Sequence, residues 1–426
     1  MAPDNAIYER VKVRLKMRLV DLLDGMPSGS QATQQRQALQ ENLRQVLKGL
    51  PEEPRTTPLS SEEQDRVIQD VLNEVLGYGP LDRYLADPTI SEIMVNGPSQ
   101  IFIERDGKLQ RVPETFRDAN HLMAVIEKML GSVNLTVNET SPLCDASLVD
   151  GSRINVIIPP LVLNGPVVTI RRKSRDWTMI EFKTAGALSG QAAEFLEACV
   201  KAKVNMVVSG GTSTGKTTLV AILSALIPPD ERIITIENVA ELELTGREHW
   251  IRLVAKGPNL QGRGEIPLRS LVKNALRMRP DRIILGEARG GEALDVVQAM
   301  HSGHDGVITV LHANTAHAAL ERLETLMLMS GLELPPDACR MQIASAVDLV
   351  VHLGRFADGS RRVATISQVL GSAQTGFHME DLFTFESSGF SSDGQLRGEC
   401  RYTGAKPKFL SKFQLNNVEV PSWIKQ

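Results

Sequence analysis

Apolar residues recur at every fourth position from Ile7 through Val11, Leu15 and Leu19 to Leu23, the spacing of an amphipathic helix. Within that stretch VKVRLKMRL also alternates as a strand would. Its Lys, Arg, Leu and Met residues favour helix, and a helix over residues 7–24 is the reading adopted. Residues 26–35, MPSGSQATQQ, read as a polar linker, followed by a second helix that ends near Leu50. The Pro-rich LPEEPRTTPLS breaks the chain again, and Ser60, Ser61 and Glu63 open a third helix, SSEEQDRVIQDVLNEVLG. A small helical module is therefore predicted over the first 80 residues.

From Thr89 the period shortens to two. ISEIMVNG, QIFIERDG and KLQRVP read as strands joined by Gly-Pro and Asp-Gly turns, and HLMAVIEKMLGSV reads as a helix. SRINVIIPP and GPVVTIRRKS return to strand, which together predicts an α+β domain of ordinary size. SRDWTMIEFKTAG reads as a linker. Beyond it, helix and strand alternate: SGQAAEFLEACVKA, NMVVSGG, GKTTLVAILSALI, RIITIEN, RSLVKNALRM, RIILGEA, GEALDVVQAMH and GVITVLHAN. That alternation predicts a parallel sheet covered on both faces. After about Gly371 the chain turns rich in Gly, Ser and Phe, which suggests small β elements.

Composition narrows the class. A chain of 426 residues with 42% hydrophobic and 23% charged positions can bury two or three cores without a metal or disulfide staple. Cys144, Cys199, Cys339 and Cys400 are scattered and form no CxxC pair, which argues against a structural zinc site and a disulfide framework. A net charge of −4 and only 4% aromatic residues argue against general nucleic-acid binding. No apolar run approaches the roughly 18 residues of a membrane span. No signal-peptide core opens the chain, where Asp4, Glu9 and Asp21 interrupt the basic residues, so a cytoplasmic location is expected.

The strongest chemical signal is GGTSTGKTT: Gly210, Gly211, Thr212, Ser213, Thr214, Gly215, Lys216, Thr217 and Thr218. An apolar strand leads into it and a helix-forming run leads out, the context in which G-x-x-x-x-G-K-[ST] cradles phosphates. The glycines let backbone N–H groups turn inward, and the helix adds its positive end. Lys216 is expected to neutralise β- and γ-phosphate oxygens and the Thr217 hydroxyl to ligate Mg²⁺, with ATP as the nucleotide.

Carboxylates follow two later strands, at the edge where a parallel sheet presents its chemistry. Glu237 ends RIITIE with Glu241 and Glu243 close behind, and Glu287 follows RIILG. Glu237 and Glu287 are the catalytic candidates, Glu287 also reaching Mg²⁺ through water, while Glu243 reads as structural or exposed. The usual Walker B aspartate before the catalytic Glu is replaced by Gly286. His301, His304 and His312 occupy HSGHDGVITVLHAN. Position suits His304 and His312 to sensing a γ-phosphate, although loop histidines taken alone are better read as ordinary hydrogen-bonding residues. Arg153, Arg171, Arg172, Arg277 and Arg279 form a pool from which a phosphate-contacting arginine can come.

With GGTSTGKTT, the acidic box ITIENVAELEL, the atypical Walker B RIILGEARGGEAL and HSGHDGVITVLHAN in this order, the chain resembles the ATPase superfamily that powers type II and type IV secretion and type IV pili. ISEIMVNGPSQIFIERDGKL is similar to that family's N-terminal PAS-like domain. MRPDRIILGEARGGEALDVVQAMHSGHDG, the helical module and the C-terminal QTGFHMEDLFTFE resemble the tight-adherence (Flp) pilus ATPase most. The resemblance implies an α/β RecA-like P-loop ATPase core, an N-terminal α+β (PAS-like) domain and a preceding small helical module. The corresponding division is 1–80 helical, 81–175 α+β, 176–187 linker, 188–371 ATPase and 372–426 a small β-rich extension.

It further implies a cytoplasmic homohexamer at the inner face of the inner membrane, associated with the membrane through platform proteins. ATP hydrolysis would drive pilus assembly, retraction or both. Carried onto this sequence, it assigns Lys216 and Thr217 to phosphate and Mg²⁺, Glu237 and Glu287 to catalysis, and His304 and His312 to sensing. It places the arginine contacts on Arg153, Arg171, Arg277 and Arg279. A type IV secretion or conjugation ATPase of the same superfamily, a nucleic-acid translocase and a nucleotide-binding scaffold are the alternatives.

Overall fold

The computed structural model describes residues 5–24, 32–49, 60–105, 107–173, 177–257, 263–374, 376–392 and 394–424. The linkers expected at 26–35 and 50–60 lie mostly outside these residues. The chain divides into two compact units, Met1–Lys173 and Ser174–Gln426.

In the first unit, α1 (Asn5–Asp24), α2 (Ala32–Lys48) and α3 (Ser61–Leu76) pack on one another. Helical spacing wins over alternation in α1: Leu15 and Leu19, one turn apart, are buried among Leu39, Leu43, Ile68 and Leu72. Val13 and Met17, which a strand would place on the same face as Leu15, stay 54% and 58% exposed. Ser60 and Glu63 form the expected capping box, each side chain accepting from the other's backbone N–H.

A 3₁₀ turn (Gly79–Leu81) and α4 (Asp82–Ala86) lead into β1 (Ile90–Asn96), β2 (Ile101–Arg105), β3 (Lys108–Val112), α5 (Ala119–Gly131), β4 (Leu143–Ser147), β5 (Arg153–Ile157) and β6 (Val167–Arg171). The strands form one antiparallel sheet ordered β3-β2-β1-β6-β5-β4. Alternation turns Ile93, Val95, Ile103, Ile154, Val156 and Ile170 into a core shared with Leu122, Ile126 and Met129 of α5. The sequence does not announce β4: in LCDAS only Ala146 is fully buried, because the strand pairs with β5 alone at the sheet's edge.

The second unit runs α6 (Met179–Thr184), α7 (Gly190–Lys201), β7 (Met206–Gly210), α8 (Lys216–Ala225), β8 (Ile233–Glu237), β9 (Trp250–Val254), α9 (Leu268–Ala275), β10 (Arg282–Leu285) and α10 (Glu292–His301). It continues with β11 (Ile308–His312), α11 (Ala316–Leu328), α12 (Pro336–Ala346), β12 (Leu349–Arg355), β13 (Arg361–Ala373), β14 (Gly376–Phe390), β15 (Leu396–Tyr402) and α13 (Leu410–Leu415). One nine-stranded sheet, ordered β15-β14-β13-β12-β7-β11-β10-β8-β9, organises it. The six strands from β12 to β9 are parallel. Two separate apolar cores, around α7–α8 and around α9–α12, cover its faces, which is why its central strands read as unbroken apolar runs.

Two expected boundaries change. The segment read as a linker over 176–187 is folded from Trp177 onward: Thr178 and Glu181 make a capping box for α6, and Phe182 is buried in the core beside Trp177. The expected break at 371 falls inside β13, and β13–β15 extend the same sheet as antiparallel strands rather than forming a separate extension. Phe383, Phe409, Phe413 and Ile424 then pack into the core with Phe195 of α7, so the tail belongs to this unit.

Candidate nucleotide-binding site

β7 is buried along its whole length and delivers the chain into the glycine loop at the C-terminal edge of the sheet. A Cβ at Gly210 would stand 2.5 Å from the Leu353 carbonyl of β12 and 2.6 Å from Thr214 Oγ1, so only glycine fits. Ser213 (φ 56°) and Gly215 (φ 95°) take left-handed backbone, which winds the loop into a concave nest at the start of α8. Lys216 is buried at the first position of α8, and its Nζ donates to the Gly211 carbonyl at 2.6 Å across the loop.

The acids stand at the same edge of the sheet, Glu237 ending β8, Glu241 in the loop after it and Glu287 just past β10. Thr217 Oγ1 donates to Glu241 Oε2 at 3.3 Å. The backbone N–H groups of Glu241 and Leu242 both donate to Glu237 Oε1 at 2.9 Å. Glu237 is only 3% exposed and its Oε2 has no partner among the described residues. Burial pushes its carboxyl above the ordinary value, partly offset by those two backbone bonds and by Arg252. A cation nearby would reverse that balance, so the Thr217–Glu241–Glu237 chain suits a hydrated Mg²⁺ bound beside the phosphates.

The missing Walker B aspartate has a steric cause. A Cβ at Gly286 would lie 2.9 Å from Glu237 Cγ and 3.5 Å from its Oε1. Glu237, held by two N–H groups, occupies the space that a side chain on the neighbouring strand end would need. Next along, Glu287 Oε2 accepts from Arg289 Nη2 at 2.8 Å, and its Oε1 is 3.3 Å from His312 Nε2 at the end of β11. Glu287 and His312 are thus neighbours, as their strand-end positions predict.

Other expected residues fall elsewhere. His304 precedes β11, whose five residues span about 16 Å, so it sits at the opposite edge of the sheet from His312, hydrogen-bonded to Ser302. Arg277 and Arg279 likewise precede β10 and are exposed on that far edge. Within one chain none of the three reaches the phosphate loop, because a parallel sheet sends the loops before and after its strands to opposite ends. In the first unit Arg153 and Arg171 are cross-strand partners on β5 and β6, away from the core face, and Arg153 pairs with Asp145 at 3.4 Å. Arg172 is structural, donating to the Tyr84 and Asp87 carbonyls. Glu243 pairs with Arg252 at 3.4 Å.

Two residues at the site were not foreseen. Arg289 stands two residues past Glu287 in the loop after β10, and its position in GEARGG was a usable signal. His352 lies on β12, in register with Ser209, and its Nδ1 is 3.0 Å from Ser209 Oγ. Burial holds its imidazole below the ordinary value; the Lys216 charge adds to this and a bond to the Asn314 backbone opposes it. His352 therefore braces the floor of the glycine loop to β12 and the exit of β11. Its only signal was a histidine inside the apolar run LVVHL.

A strand–glycine loop–helix cradle with carboxylates at the same edge of the parallel sheet defines a P-loop nucleoside triphosphate hydrolase. The sequence matches the family described as type II/IV secretion system protein over residues 74–389, and the chain belongs to that family. Together with the intact phosphate loop, this makes it an ATP hydrolase. It is 32% identical to the conjugal transfer protein TrbB of Rhizobium radiobacter over 324 residues, 74% of this chain and 93% of that protein. It is 35% identical to the type IV secretion system protein PtlH of Bordetella pertussis over 308 residues, 66% of this chain and 91% of that one. The X-ray structure of the Yersinia pseudotuberculosis ATPase DotB is similar in fold, with TM-score 0.50 at 19% identity over 74% of this chain and 80% of that chain.

Proposed function

We propose that this protein is the cytoplasmic motor ATPase of a tight-adherence (Flp) pilus, a homohexamer that turns ATP hydrolysis into pilus assembly at inner-membrane platform proteins. The observation that carries the chemistry is one sheet edge. There Lys216 and Thr217, the Glu241–Glu237 pair and the Glu287–His312 pair surround an intact phosphate loop. In this reading the second unit is RecA-like and the strand-rich part of the first is PAS-like. The helical module and QTGFHMEDLFTFE, whose residues 376–386 lie in β14, support the pilus assignment.

Lys216 would neutralise phosphate oxygens, and the Thr217 hydroxyl would hold Mg²⁺, with Glu287 reaching it through water. The metal, when bound, supplies charge neutralisation at the β- and γ-phosphates. Glu287 and Glu237 orient the attacking water and accept its proton, and His312, bonded to Glu287, registers the γ-phosphate. Arg153, Arg171, Arg277 and Arg279 act on nucleotide held by another subunit. The exposed positions of Arg277 and Arg279 suit that role. A type IV secretion or conjugation ATPase is the second reading, favoured by what TrbB and PtlH are named for.

The test is steady-state ATP hydrolysis with oligomer size for the native protein, Lys216→Ala and Glu287→Gln. A native hexamer should turn over. Lys216→Ala should lose nucleotide binding, and Glu287→Gln should bind ATP yet turn over about 10²–10⁴-fold more slowly. A native protein that binds ATP but is as inactive as both variants, even with its platform partner present, would exclude a motor.

A further inference from the structure

The loop GEARGG carries Glu287 from β10 to α10, and its two ends are fixed by the chain around it. Gly286 N–H donates to the Ile236 carbonyl of β8, and Ala288 N–H to the Val310 carbonyl of β11. At the other end a Cβ on Gly291 would stand 2.8 Å from Ser330 Cα, so the backbones pack closely there. Between these points Arg289 and Gly290 border a cavity of about 350 Å³, so among the described residues little packs this stretch from that side. One side chain closes over it instead. Glu292, only 7% exposed at the first position of α10, turns back along the chain. Its Oε1 accepts from Arg289 N–H at 2.6 Å and from Gly290 N–H at 2.8 Å. A Cβ at Gly290 would stand 3.2 Å from Glu292 Oε2, so the glycine leaves room for the carboxylate.

Given Glu287 as a catalytic carboxylate, the reading on which this rests, the geometry points to Glu292 as a positioning residue for hydrolysis. Glu292 sets the backbone of Arg289, and Arg289 in turn aims the Glu287 side chain. A helix cap satisfies N–H groups inside the first helical turn. The two that Glu292 accepts from precede α10, so its bonds shape the loop and not the helix. A buried carboxylate without hydrogen bonds is costly, and so are buried N–H groups without acceptors, which makes this closure the favoured shape of the loop. So held, Arg289 Nη2 donates to Glu287 Oε2 at 2.8 Å, while His312 Nε2 stands 3.3 Å from Oε1. Each oxygen of Glu287 has its own neighbour, so the orientation of the carboxylate is set from both sides. The Arg289 and Glu287 side chains are 53% and 22% exposed, and an ion pair that open adds little stability. Its effect lies in orientation.

The experiment is steady-state Mg²⁺-ATP hydrolysis by the full chain, with Tm, for Arg289→Gln, Glu292→Ala, Glu292→Gln and Glu287→Gln. Arg289→Gln and Glu292→Ala are also each combined with Glu287→Gln. Glu292→Ala should lower kcat on the order of a hundredfold with KM near native, as a small displacement of a reacting group does. Glu292→Gln keeps a carbonyl oxygen able to accept from both N–H groups and should restore most of the rate. Arg289→Gln changes an exposed side chain and should lower kcat at native Tm, which keeps the test decisive even if Glu292→Ala does not fold. In the Glu287→Gln background neither substitution should slow turnover much further, because the group they position is already gone. Native kcat in Arg289→Gln and Glu292→Ala, or losses that multiply with that of Glu287→Gln, would overturn the inference and leave the catalytic assignment standing. A Glu287→Gln protein as active as the native one would remove that assignment and the inference with it.

Discussion

Replacing Gly286 with the residue most P-loop ATPases carry should damage this enzyme. A Cβ there meets Glu237 Cγ at 2.9 Å, inside van der Waals contact. Glu237 cannot swing away without giving up two backbone N–H bonds to Oε1. Gly286→Ala isolates the steric part, which for overpacking of a buried site amounts to about 1–3 kcal/mol. For a unit of this size that lowers Tm by roughly 3–10 °C. Gly286→Asp adds a second carboxylate beside a buried one, a repulsion of about 4 kcal/mol at an effective dielectric constant of 20. The assay is thermal unfolding of native protein, Gly286→Ala, Glu237→Ala and the double variant. Trimming Glu237 removes the clashing atom, so the double variant should be more stable than the sum of the singles by about 1 kcal/mol or more. A Gly286→Ala protein as stable as the native one, or strict additivity in the cycle, would refute the steric account.

Three further outcomes follow from the same geometry. His352 is held below its ordinary value of 6.5, so its contribution to stability is present above that pH and lost as pH falls through the lowered value. Tm measured from pH 8 to 5 should fall less steeply for His352→Gln. Glu237 is raised above 4.5, so its contribution is present below that pH and lost as pH rises through the raised value. Glu237→Gln should therefore raise the nucleotide-free Tm at pH 7 while Mg²⁺-ATP turnover drops. Phe413 is fully buried against the α7 core, and Phe413→Ala should cost about 3–5 kcal/mol in denaturant unfolding without altering nucleotide contacts.

What could be read from sequence was whatever is local. The glycine loop is a contiguous motif between two strongly patterned elements, and Glu237, Glu287 and His312 declare themselves by ending or directly following apolar strands. His304 misled because its box is contiguous in sequence while β11 carries its two ends to opposite edges of the sheet. His352 stayed hidden because Ser209, its partner, is 143 residues away, so no local spacing links them. The packing of Glu237 against Gly286 was equally silent: the glycine is visible, but the side chain that excludes a larger residue comes from another strand. The tail was read as separate because long antiparallel strands rich in Gly and Ser do not show that they continue a parallel sheet.

The joining of the tail to α7 bears on how the second unit is made. Ser189, at the start of α7, donates to the Cys400 carbonyl across 211 positions, and Trp423 donates to Glu194 across 229. The part of the apolar face of α7 that the tail covers, made midway through synthesis, therefore waits uncovered until almost the whole chain has been synthesised. Contacts this distant are slow to close and leave apolar surface open to wrong partners meanwhile. A nascent chain stalled before α13 would hold a complete phosphate loop and still lack the residues that seal its core.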